Sequence, residues 1–187
     1  MAKNFIIIFI CFPLFLVGNP DISGDCDHGR VDKRECVLES ARSYIGVREL
    51  TGKNDGIEVE YFLSTVNLGK GYAWCGAFAY AQLIECIEVT GKPSSFAWVP
   101  SWDQLARRVY DNKIGNWDKV RPADLFLLYY ANLGRVGHIG FIEEVKEGSI
   151  ITIEGNTNDA MSREGDGVYR KIRPKRTIYR AVNWIDQ

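Results

Sequence analysis

The sequence is poor in histidine, in net charge and in long apolar runs. It has two histidines, His28 and His138, in 187 residues, and a formal net charge of -1. A near-zero charge excludes a strongly basic nucleic-acid surface. A composition that is 46% hydrophobic and 25% charged excludes a disordered chain or a coiled coil. There is no internal repeat and no low-complexity tract. At this length a single domain, acting as a monomer, is the default expectation.

The longest apolar run, Phe5 to Val17, follows Lys3 and is closed by Gly18 and a polar segment. As a helix it would span about 20 Å, against roughly 30 Å of hydrocarbon, which fits a signal peptide over residues 1–18 rather than a stable membrane span. Neither Cys11 nor Cys26 follows the Leu-x-Gly/Ala pattern of a lipid-attachment site. Residues 19–32 read as a flexible lead-in, and residues 33–187 as the domain. An exported chain meets an oxidising compartment, periplasmic or extracellular, so its cysteines can be bridged. Cys26 and Cys36 bracket a short polar segment at a spacing suited to a local disulfide. Cys75 and Cys86 lie on one predicted helix about 16 Å apart, too far to bond, and Cys86 reads as a small buried hydrophobe. Cys26, His28 and Cys36 lack a CxxC pair and a fourth ligand, so no metal and no cofactor is expected.

Periodicity divides the domain in two. Val37, Leu38, Ala41, Tyr44 and Ile45 recur at helical spacing over Arg34 to Val47, and Val59, Tyr61, Phe62 and Val66 support a second short helix. Trp74 to Glu88 is apolar nearly all round, as a central buried helix is. A further helix is predicted from Trp102 to Tyr110. From Arg121 the pattern changes: DLFLLYY reads as a buried strand, His138–Val145 and Ser149–Gly155 as a hairpin around Lys146-Glu147-Gly148, and Val168–Arg173 and Ile178–Trp184 as two further strands. Helices followed by an antiparallel sheet give an α+β fold.

The chemistry concentrates at two points. Cys75 falls in the first turn of the central helix, where the helix dipole and unpaired N–H groups favour a thiolate and can receive an oxyanion. A thiol nucleophile needs a base, and His138 at the mouth of the hairpin is the one histidine inside the domain. Two hairpin registers are open: His138 lies opposite Asn156 in one and opposite Glu154 in the other. Either keeps an acidic or amide side chain on the histidine's face, within ~5 Å directly or ~7–8 Å diagonally. Such a group orients an imidazole and stabilises its charged form.

The segments AWCGAFAYAQLIE, GHIGFIEEV and ITIEGNTN resemble the cysteine block, histidine strand and Glu-Gly-Asn strand of the CHAP amidohydrolase/peptidases, relatives of NlpC-type and papain-like peptidases. The likeness extends over roughly Lys33 to Tyr179. It departs at Ala73, where relatives often carry proline before Trp-Cys. The resemblance implies a papain-like α+β core and hydrolysis of a peptidoglycan amide, within the stem peptide or between muramic acid and L-Ala. It implies Cys75 as nucleophile, His138 as base, Glu154 as the group that orients the ring, and Asn156 as an assistant. Trp74 is the leading aromatic candidate for substrate stacking, ahead of Trp98, Trp102 and Trp117, and Asn54 is a candidate oxyanion donor. The basic run from Arg163 through Arg170, Lys171, Arg173, Lys175, Arg176 and Arg180 reads as a solvated strand face. Peptidoglycan is the expected partner, with no nucleic acid. A non-catalytic wall-binding module and a thiol acyltransferase are the alternative readings.

Overall fold

Helix formation begins at Asp32, whose carboxylate accepts the backbone N–H of Arg34 and caps α1 (Lys33–Ser43). Asp32 is also the first residue that the computed structural model describes; it covers residues 32–158 and 165–186, which belong to one compact unit, Val31–Gln187. The expected signal peptide, the lead-in up to residue 31, Cys26, His28 and Arg163 lie outside the described residues. In α1, Glu35 in the first turn and Arg42 in the last complement the helix dipole, and Val37, Leu38 and Ala41 form the buried stripe. The helix stops short of Val47 because Gly46 turns the chain at φ 100°. After α2 (Ile57–Thr65) comes α3 (Cys75–Cys86), whose residues from Cys75 to Leu83 are all buried.

The predicted helix from Trp102 to Tyr110 is replaced by two short 3-10 turns and strand β1 (Arg108–Asp111). No single apolar stripe exists there: Trp102 is drawn into the core against Phe96 and Trp184, while Leu105 is 77% exposed. The freed backbone of β1 pairs with β6 instead.

β2 (Leu125–Tyr130), β3 (Arg135–Val145), β4 (Ser149–Thr157), β5 (Gly167–Pro174) and β6 (Arg180–Val182) complete one antiparallel sheet in the order β1-β6-β2-β3-β4-β5. The expected α+β layout is therefore present. Alternation in β2 explains why its sequence is apolar throughout. Leu125 and Leu127 pack with the helices, whereas Phe126 and Leu128 join Tyr110, Ile142, Ile150 and Ile178 in a second cluster. No helix among the described residues is long and apolar enough to cross a membrane.

The cysteine pairing differs from the sequence-based expectation. Cys36 on α1 bonds Cys86 at the end of α3, with their Cα atoms 5.9 Å apart, so Cys86 is a bridge partner rather than a simple apolar side chain. The packing of α1 beside α3 closes a separation of 50 residues that sequence spacing does not reveal. Cross-linking a loop of that size stabilises the fold by about 4 kcal/mol in the chain-entropy picture. Cys36→Ala/Cys86→Ala is therefore expected to unfold at clearly lower denaturant, measured without reductant. An unchanged midpoint counts against the bond.

Candidate active site

Trp74 and the glycines around it set where α3 begins. The Trp74 ring is fully buried. It stacks on Phe62 with centroids 5.8 Å apart, and its indole N–H donates to Glu49 Oε1 at 2.9 Å. That anchor leaves Cys75 as the first helical residue, beside first-turn N–H groups that no intrahelical carbonyl can satisfy. Two close approaches then build the walls. A Cβ on Gly76 would lie 2.4 Å from the Phe96 carbonyl oxygen, so the segment through Phe96 and Ala97 rests on the helix start. A Cβ on Gly155 would lie 2.6 Å from Phe78 Cγ, so β4 presses against α3 at the point where it carries Glu154 and Asn156.

His138 sits on β3 and is 5% exposed. The β3–β4 register pairs Phe141 with Ile153 and Ile142 with Thr152. Just beyond the Phe141–Ile153 pair, Gly140 lies against Glu154 Cγ and the Ile153 carbonyl. Glu154 reaches the imidazole from the neighbouring strand, with Oε2 2.8 Å from Nε2. Gly140 makes this possible: a Cβ there would meet Glu154 Cγ at 2.9 Å and Phe126 Cε1 at 2.8 Å. Cys75 lies close enough to the ring for its side chain to raise the pKa of His138. Since Nε2 is taken by Glu154, Nδ1 is the nitrogen that can exchange a proton with sulfur. Cys75 is the free cysteine of the described residues.

Cys75, His138 and Asn156 open onto a cleft of about 310 Å³ that is also lined by Leu68, Tyr72, Trp98 and Arg135. Asn156 adopts φ 54° and does not bond to the histidine. Its side-chain amide donates to Asn54 Oδ1 at 3.0 Å and leans on Glu49 Oε1 at 3.4 Å. Asn54 is held by that contact and is absent from the residues lining the cleft. Trp74, expected to stack on substrate, has its ring in the core and is not among the residues lining the cleft. Trp98, 52% exposed, holds the aromatic position on the cleft wall.

Residues 67–156 match the family model for the CHAP domain, a span that runs from before α3 to the end of the Glu-Gly-Asn strand and takes in Cys75, His138, Glu154 and Asn156. Over this span the chain is similar to the CHAP family. No curated protein and no solved structure matches it. The CHAP domain belongs to the peptidoglycan hydrolase and amidase type of function family.

Within the matched span the carboxylate of Glu154 is fully buried and has three partners. Arg173 donates from Nε to Oε1 and, at 2.6 Å, from Nη2 to Oε2; the Thr152 hydroxyl also donates to Oε1, and His138 Nε2 shares Oε2. Burial alone would raise the carboxyl's pKa, but the hydrogen bonds and charges of Arg173 and His138 outweigh it and hold it at about 2. Burial would likewise depress His138, yet the neighbouring Cys75 side chain and the hydrogen bond and charge of Glu154 hold it up at about 9. The array therefore favours an imidazolium beside Cys75 at neutral pH.

Arg173, Thr152 and Glu49 were not among the sequence candidates. Arg173 belongs to the run read as a solvated face, but its side chain is 16% exposed and reaches back along the sheet to the carboxylate. A carboxylate on the histidine's face of an apolar strand was the available signal, since burying it requires a cation. Nothing in the sequence around Glu49 signals its contacts with Trp74, Asn156 and the backbone N–H of Asn54.

Folded His138 binds its proton more tightly than the ordinary value of 6.5 implies, so its contribution to stability is complete below about pH 6.5 and is lost as pH rises through about 9. Folded Glu154 binds its proton more weakly than the ordinary 4.5, so its contribution is complete above about pH 4.5 and is lost as pH falls through about 2. Glu154→Gln is expected to lower the His138 pKa by more than one unit in an NMR titration of the imidazole. With two histidines in the chain, a His28→Gln sample assigns the signal. An unmoved His138 titration would show that the carboxylate does not control the ring.

Proposed function

We propose that this protein is an exported cysteine hydrolase that cleaves an amide bond of peptidoglycan through a thioacyl intermediate. The observation that supports it most is the convergence of Cys75, at a helix start, and the Glu154-bonded ring of His138 on one cleft.

The chemistry follows from those positions. Cys75 Sγ, as thiolate, forms a bond to the amide carbonyl carbon, and the carbonyl π electrons move onto oxygen. The first-turn N–H groups of α3 receive that oxyanion. As the tetrahedral centre collapses, the C–N bond breaks and the His138 imidazolium gives its proton to the departing amine. Water then attacks the thioacyl carbon while His138 takes the water's proton, and Cys75 leaves again as thiolate. Glu154 stays ionised throughout and keeps the imidazole in the orientation that addresses sulfur. Asn156 and Asn54 shape the cleft side of β4 and are assigned no proton transfer. No metal or cofactor enters the scheme.

Mass spectrometry of sacculi digested with the mature protein is expected to show new soluble muropeptides, and the new terminus identifies the amide that is cut. Cys75→Ala is expected to release none, a loss of at least 1,000-fold on the scale of nucleophile removal, with an unchanged circular dichroism spectrum. Muropeptide release by a folded Cys75→Ala protein would end this reading.

A further inference from the structure

The cleft contains a cation that the hydrolytic scheme does not use. Arg135 opens β3 and lines the same cleft as Cys75 and His138, where none of the lining residues is Asp or Glu. Arg34, Arg42, Arg170, Arg173 and Arg180 all bind carboxylates. Arg135 pairs with none among the described residues. Its guanidinium lies over the exposed Trp98 ring, 4.0 Å from the centroid, and Nη1 donates to the Val136 carbonyl at 3.0 Å. A guanidinium has five N–H donors, so most of its capacity is unspent, and the aromatic face presets its plane.

Its aim is set by a β-bulge. Tyr130 pairs with Arg135, Tyr129 with Val136, and Leu128 with His138, so Gly137 is the extra residue on β3. In a regular strand, residues three apart face opposite sides. Here Arg135 and His138 lie across from Tyr130 and Leu128, which share a face, and both side chains reach the cleft. Glycine is required at the bulge, because a Cβ on Gly137 would lie 2.4 Å from Tyr130 Cδ2. Two register steps separate the residues, about 7 Å along the sheet.

From this geometry we infer that Arg135, braced on Trp98, is a specificity residue that binds a free carboxylate on the peptide within two residues of the scissile amide. This rests on the hydrolase reading for what the peptide is, but its test does not require turnover. The probes are synthetic peptidoglycan stem tetrapeptides, one with free carboxylates and others with each carboxylate in turn converted to carboxamide, titrated calorimetrically into the folded Cys75→Ala protein. Amidation at one position is expected to weaken binding about tenfold or more, the scale of a lost charge-assisted hydrogen bond. In Cys75→Ala/Arg135→Gln the acid and that amide are expected to bind alike. In the Cys75→Ala protein the preference is also expected to shrink between low and high salt, a measurement independent of whether the second variant folds. An acid-to-amide ratio unchanged by Arg135→Gln, a salt-insensitive preference, or no binding by any peptide in the set would overturn the assignment. Acid-selective binding through Arg135 by a wild-type protein that releases no muropeptides would sink the hydrolase reading and leave the carboxylate site standing.

Discussion

Glu154 is a carboxylate with no access to water, and a charge placed there is destabilising by several kcal/mol unless it is fully paired. The fold meets that demand from three strands at once. β5 sends Arg173, β4 turns its own Thr152 hydroxyl inward, and β3 presents His138. Each partner satisfies part of the same buried charge, so the register of three strands and the orientation of the imidazole are one constraint. With Nε2 committed to Glu154, Nδ1 is the ring nitrogen left to exchange a proton with Cys75, which shares the cleft at the start of α3. The electrostatics run the same way. The arginine keeps the carboxylate ionised, and the carboxylate keeps the histidine protonated.

A second layer of constraint comes from residues that have no side chain. The cleft forms where elements approach more closely than a Cβ would allow: the segment through Phe96 on Gly76, Phe126 and Glu154 beside Gly140, and Phe78 on Gly155. Gly137 adds a bulge in place of a regular strand residue, which turns Arg135 and His138 toward the same opening. Glu49 ties these parts together from outside, since it holds the indole that anchors α3, the Asn156 amide on β4 and the turn at Asn54. The walls are thus set mainly by backbone proximity, and the chemistry by a few charged side chains placed between them.

The parts of this protein that were legible in its sequence are those written in short-range pattern. A helix apolar on nearly every side had to be central, an alternating hairpin had to bring its two strands' faces together, and a chain with one histidine in its domain had one choice of imidazole base. The family likeness of the cysteine, histidine and Glu-Gly-Asn segments then singled out Glu154 from two open registers. Other features were settled by contacts between residues far apart in the chain. The Cys36–Cys86 bridge depends on how α1 lies against α3, and the role of Arg173 on a side chain that leans along the sheet. The burial of Trp74 depends on Phe62 and Glu49 reaching it first, and strand β1 on an edge of β6 that needed a partner. Periodicity reports which face of an element is apolar. It carries no information about which distant element covers that face, because that choice is made by packing and by the pairing of buried charge.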